Sequence, residues 1–156
     1  MRAVQNLFIQ GLPFFFPLLL YVLLVSDVSA LQGGGVVIDG RVTITVEVAR
    51  TAQEQARGLG GRSSLPKGGG MLFPFDAAER RIFWMKGMLI PLDILWIREG
   101  KIVAIDANVA PPRSREAPAI VSQVADTVLE VPAGFAQEMG ISVGLTVRVK
   151  YEGSSR

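Results

Sequence analysis

The chain has 156 residues, enough for one ordinary domain and too few for two, because a core that offsets chain entropy needs on the order of 60 residues. Its 16 basic and 14 acidic residues are scattered, without the clustered Lys/Arg stripe that a nucleic-acid backbone demands, so no nucleic-acid partner is expected. It has no cysteine, which excludes disulfides, Cys-ligated metals and thiolate chemistry, and no histidine, which removes the commonest general base and metal ligand. No cofactor and no metal are therefore expected.

The N-terminus carries Arg2 and then an almost wholly apolar run from Leu7 to Val25. Val28-Ser29-Ala30 follows, with small residues where a signal peptidase reads them, so residues 1–30 are predicted to be a signal peptide cleaved after Ala30. The alternative is an uncleaved anchor, since the 19 apolar residues from Leu7 to Val25 just reach bilayer-spanning length, although Pro13 and Pro17 interrupt them. Either way Arg2 stays inside and the domain lies outside the cytoplasm, touching a membrane only through this segment.

Gln32 to Gly35 is read as a flexible lead-in. Val36 to Ile38 and Val42 to Val48 then form two strands around Asp39-Gly40, a pair that supplies the positive backbone angles of a tight hairpin turn. In the second strand Val42, Ile44, Val46 and Val48 alternate with polar residues, which predicts one buried face. Thr51-Ala52-Gln53-Glu54 matches a capping box and starts a short helix over 52–59, closed by Gly60 and Gly61. Residues 63–70 form a loop by composition.

Short strands are predicted over 71–75, 81–86, 93–98 and 101–109, the last two joined by Glu99-Gly100. Residues 110–118, with three prolines and two arginines, make an exposed, irregular, positively charged loop. A strand over 127–131, a helical turn over 133–139 ended by Gly140, a strand over 146–151 and a frayed tail over 152–156 complete the chain. The predicted fold is mostly β: a small barrel or sandwich of seven to eight short strands with two short helices.

These segments carry a pattern of blocks: Glu54-Gln55-Ala56-Arg57-Gly58-Leu59, Gly70-Met71-Leu72-Phe73, Phe83-Trp84-Met85-Lys86, Ile90-Pro91-Leu92-Asp93-Ile94 and Val128-Leu129-Glu130-Val131-Pro132-Ala133-Gly134. Together they resemble the DUF192 family (uncharacterised protein family 0127) over about residues 42–149. The resemblance implies a single, often exported, mostly β domain with no established activity. Two positions depart from it: Gly87-Met88 stands where the family usually has Asn-Thr, and Gly144-Leu145 where it has Gly-Asp.

The candidate ligand-binding cluster is Trp84, Lys86 and Asp93 with Arg57 and Arg62. An alternating strand puts Trp84 and Lys86 on one face, and Pro91 sets a turn that could return Asp93 towards them. A carboxylate beside cations and an aromatic wall suits a small polar ligand such as a sugar or an organic anion. The competing structural reading makes Asp93 a buried carboxylate that pairs with an arginine or accepts backbone amides where a loop enters a strand, with Trp84 in the core.

Ser64 and Lys67 have the spacing of serine acyl enzymes, but Pro66 and Gly68 to Gly70 deny them the helix that chemistry needs. The glycine-rich stretches lack the residues of a phosphate-binding loop. Asp106 and Glu130 are read as solvated strand residues. The leading expectation is a non-catalytic extracytoplasmic module that binds a small molecule, a glycan or an envelope protein. The alternative is a carboxylate-dependent hydrolase or lyase acting on envelope carbohydrate.

Overall fold

The computed structural model describes residues 32–112 and 120–151. The N-terminal segment with the cleavage predicted after Ala30, most of the proline-rich loop and residues 152–156 lie outside the described residues.

Seven strands and two short helices follow one another along the chain: β1 (Gln32–Ile38), β2 (Val42–Val48), α1 (Ala52–Arg57), β3 (Gly69–Trp84), β4 (Leu92–Arg98), β5 (Lys101–Val109), β6 (Ile120–Pro132), α2 (Phe135–Glu138) and β7 (Val147–Tyr151). They form one sheet in the order β5-β4-β6-β3-β2-β1-β7. All pairs are antiparallel except β2 with β3, which is parallel and therefore needs the crossover that carries α1. The sheet curls into a half-barrel whose edge strands meet at one end. There Val147 N–H donates to Gly100 O at 2.8 Å and Ile102 N–H to Leu145 O at 3.0 Å. Among the described residues no helix is long and apolar enough to cross a membrane.

The predicted turns form for the reasons the sequence supplies. Asp39 and Gly40 adopt φ of 51° and 68°, and Glu99 and Gly100 adopt 52° and 67°. Gln32 to Gly35, read as a flexible lead-in, is instead the first half of β1, paired with β2 and, from Gly34, with β7. Gly34 serves close approach here, since a Cβ on it would stand 3.0 Å from the Lys150 carbonyl oxygen.

The strands predicted over 71–75 and 81–86 are one 16-residue strand, β3, with a register shift between Pro74 and Glu79. The residues between them resemble a turn in sequence, but β6 starts at Ile120 rather than near 127 and pairs with β3 on both sides of that shift, from Met71 to Pro74 and from Glu79 to Trp84.

Two apolar clusters share the sheet. The concave face is filled from most of the strands, including Val36, Ile44, Leu72, Leu95, Leu129 and Val147, and is closed by Phe135 and Ala136 of α2. The convex face is apolar on β3, β4 and β6, where Met71, Phe73, Ile94, Trp96 and Val128 pack beneath Leu59, Met85 and Met88, with Val103, Ala104 and Val109 of β5 at the margin. The three strands at the centre are thus buried on both sides over part of their length. Each wholly buried aliphatic or phenylalanine side chain contributes about 1.5–3 kcal/mol.

Candidate functional site

The convex cluster is covered by α1 and by the turn that follows β3, and the covering leaves a cleft. The capping box predicted from the sequence forms: Glu54 N–H donates to Thr51 Oγ1 at 3.2 Å, and the Thr51 N–H donates to the Glu54 carboxylate at 2.8 Å. Hydrogen bonds from the Thr51 and Arg50 amides hold the Glu54 carboxyl below its ordinary pKa range. Gln55 ties the helix to the sheet by donating from Nε2 to the Ala49 and Pro74 carbonyls, both at 3.2 Å. The helix stops at Gly58, φ 48°, earlier than the predicted Leu59. A Cβ at Gly58 would lie 3.6 Å from the Phe73 ring, so the chain passes closely over the cleft's aromatic wall.

Between α1, the second half of β3 and the Lys86–Met88 turn lies a cavity of about 390 Å³. Phe73, Phe75, Phe83 and Trp84 provide its aromatic surface, Arg57, Arg80, Arg81 and Lys86 its cations, and Glu130 its acid. Phe83 is fixed by edge-to-face contacts with Phe73 and Trp96, at centroid distances of 5.0 and 5.5 Å. The Lys86 ammonium sits 5.5 Å from the centre of the Trp84 ring, and the Arg81 guanidinium 4.2 Å from that of Phe75.

Glu130 stands between Leu129 and Val131, whose side chains enter the concave core, so strand alternation sends its own to the convex side. It is 6% exposed, and its Oε2 is buried without a hydrogen-bond partner among the described residues. Burial pushes its pKa from the ordinary 4.5 up to about 8. Arg81 Nε is likewise buried and unpartnered, although the same guanidinium donates to Ala77 O at 2.8 Å and lies 3.4 Å from a Glu79 oxygen. Both orphaned atoms belong to residues that line one cleft. Buried polar groups in native proteins are nearly always paired, so these two atoms are exceptions, and both fall on residues of the same cleft.

Of the five residues singled out from the sequence, the fold brings Trp84, Lys86 and Arg57 together on this cleft. Trp84 is 56% exposed and no part of the core. Arg62 is engaged elsewhere, in a paired contact with Glu47 at 2.5 and 2.6 Å. Hydrogen bonding from Arg62 keeps the Glu47 carboxyl below its ordinary range.

Asp93 is fully buried on the concave side. Its Oδ1 accepts the amides of Asn108 at 2.8 Å and Gly134 at 3.1 Å, and its Oδ2 that of Ala136 at 2.9 Å. Asn108 belongs to a bulge where two β5 residues oppose Asp93 alone, which leaves its amide without a ladder partner. The other two amides open α2, which has no side-chain cap of its own. Asp93 therefore ties together a bulge and a helix start and does not join Trp84 and Lys86.

Asp106, read as a solvated residue, is half-buried and accepts the Trp96 indole N–H at 2.6 Å. Ser64 and Lys67 lie outside any helix, as expected. At the departure from the family pattern, Gly87 takes φ 77° and Met88 packs into the convex cluster beside the cleft, so this rim is apolar here.

Sequence reasoning missed Arg80, Arg81 and Glu130. For Glu130 a signal existed. Val128, Leu129 and Val131 are apolar on both parities, so the strand is buried on both faces and an acid within it cannot be solvated. Among the described residues no three acidic side chains gather as a cation site would require.

A model of the DUF192 family, described as uncharacterized ACR, matches residues 35–149. Two solved structures are similar to this chain. One, a Sinorhizobium meliloti protein described as a candidate transcription regulator, is 31% identical with a TM-score of 0.69, covering 77% of this chain and 95% of its own. The other, a Novosphingobium aromaticivorans protein of unknown function, is 35% identical with a TM-score of 0.69, covering 78% of this chain and 89% of its own. No curated protein matches the chain.

Proposed function

The chain belongs to the DUF192 family of uncharacterised proteins, and from that premise we propose that it is an exported, non-catalytic module that binds a small organic molecule in the convex cleft. The observation that carries this reading is the pair of buried, unpartnered polar atoms, Glu130 Oε2 and Arg81 Nε, on residues lining one cavity of about 390 Å³ with an aromatic wall. That volume falls in the range of small-ligand sites, whose pattern is an apolar surface with a few convergent polar groups. Trp84, Lys86 and Arg57 form the accessible side of the contact surface. Export rests on the apolar run and the Val28-Ser29-Ala30 pattern.

The test is a thermal-shift screen of sugars, amino acids and organic acids on the mature domain, followed by titration of any hit with tryptophan fluorescence as readout. Trp96 is wholly buried and Trp84 is in the cleft, so a genuine ligand changes emission in the wild type and not in Trp84→Phe. A screen in which no compound stabilises the wild type would overturn the binding reading. Cell fractionation with N-terminal sequencing tests export: a mature start at Leu31 outside the cytoplasm is expected.

A further inference from the structure

Resting on the cleft reading, we infer that the ligand is a hydroxylated organic acid: an anion held by the cations, a ring or apolar body against the aromatic wall, and a hydroxyl reaching Glu130.

The charge balance of the lining selects an anion. Arg57, Arg80, Arg81 and Lys86 face the cavity against one acid, and that acid is buried. Arg80 and Arg81 are partly engaged already, by the Ser122 hydroxyl at 3.4 Å and by Glu79 at 3.4 Å, whereas Arg81 Nε still has no acceptor. An anionic oxygen supplies one, and charge-assisted bonds of this kind are about twice as strong as neutral ones. A cationic ligand would meet Glu130 only after passing four like charges.

The second orphan selects the hydroxyl. Glu130 Oε2 is buried and has no partner among the described residues, and burial favours the protonated carboxyl near neutral pH. A protonated carboxyl both donates and accepts, and an ionised one only accepts. A hydroxyl, which also does both, can pair with Glu130 in either state. A carbonyl or ether oxygen can pair only with the protonated form. An ammonium group gains a charge pair only from the ionised form, which the apolar surroundings disfavour. Phe75, Phe83 and Trp84 of the same lining offer aromatic surface for a ring.

Three matched series, titrated into the wild-type mature domain by calorimetry, test this. They are 4-hydroxycyclohexanecarboxylate, 4-hydroxyphenylacetate and glucuronate, each with its deoxy or unsubstituted acid and with its neutral ester or parent alcohol. The best hydroxy acid is expected to bind about tenfold more tightly than both of its partners, the size of one net hydrogen bond or one charge contact. In Glu130→Leu its affinity should fall to that of the deoxy acid, while the preference for acid over ester remains.

Equal binding of the hydroxy and deoxy acids, or of acid and ester, would overturn the inference while leaving the cleft a ligand site. Binding only of compounds outside all three series would do the same. Failure of every compound, in these series and in the wider screen, would remove the cleft reading as well. The wild-type comparison decides the matter even if the Glu130→Leu variant does not fold.

Discussion

Asp93 and Glu130 are the two buried acids among the described residues, they sit on adjacent strands β4 and β6, and they have opposite circumstances. Asp93 faces the concave side and meets three backbone amides within 3.1 Å. Glu130 faces the convex side with one oxygen unpartnered, beside a cleft that opens to solvent. Burial by itself therefore says nothing of role. The supply of donors separates an acid that holds the fold together from one whose hydrogen bonding the fold leaves incomplete.

The largest expected effect comes from removing the satisfied acid. Asp93→Ala leaves the Asn108, Gly134 and Ala136 amides without their acceptor and should cost about 3–5 kcal/mol in chemical denaturation, or prevent folding altogether. An effect below about 1 kcal/mol would show that water replaces the carboxylate, and the contrast with Glu130 would collapse.

Removing the orphaned acid should do the reverse. Because the folded state holds the Glu130 proton up to about pH 8 while the unfolded chain releases it near 4.5, the folded form binds more protons across that window. The stability associated with Glu130 is thus fully present below the ordinary carboxylate range and declines as pH rises towards 8, by at most about 1.4 kcal/mol per pH unit. Glu130→Gln should abolish that decline and leave the protein more stable than wild type at pH 8.5, by about 1–3 kcal/mol. Urea melts at pH 5, 7 and 8.5 would reveal it. An unchanged pH slope would mean that Glu130 is already ionised and paired.

Thr51→Ala removes one half of the capping box that anchors α1, the helical wall of the cleft, and should cost about 1 kcal/mol. Any ligand affinity should fall with it, since Arg57 lies on that helix.

The smallest effect belongs to the exposed acid. Arg62→Ala breaks the pair with Glu47, in which both side chains are about a third or more exposed, so solvent screening limits the loss to about 0.2–1 kcal/mol. Because Glu47 is held below its ordinary pKa, this contribution is present at neutral pH and disappears as pH falls through the depressed value. Added salt should shrink it as well.

Local features were legible in the amino-acid order because they depend on neighbours within a few residues. The Asp39-Gly40 and Glu99-Gly100 turns, the alternation of Val42 to Val48 and the Thr51–Glu54 box each carry their cause inside a short window. The extent of β3 was not legible, because residues 76–80 read as a break in sequence, and the strand is carried through them by β6 pairing on both sides. The same limit divided the site. Trp84 and Lys86 are two residues apart and were grouped correctly. Asp93 was grouped with them through Pro91, although the bulge at Asn108 and the start of α2 claim it.

The sequence by itself therefore determined a mostly β domain of the DUF192 family and the chemistry it lacks, with no histidine and no cysteine anywhere in the chain. Only the tertiary structure decided which acid is satisfied and which is not. A carboxylate's partners come from strands and loops far away in sequence, 41 and 43 residues in the case of the α2 amides that bind Asp93. Glu130 lies in an equally apolar strand, and among the described residues its Oε2 meets no donor and its side chain lines a cleft.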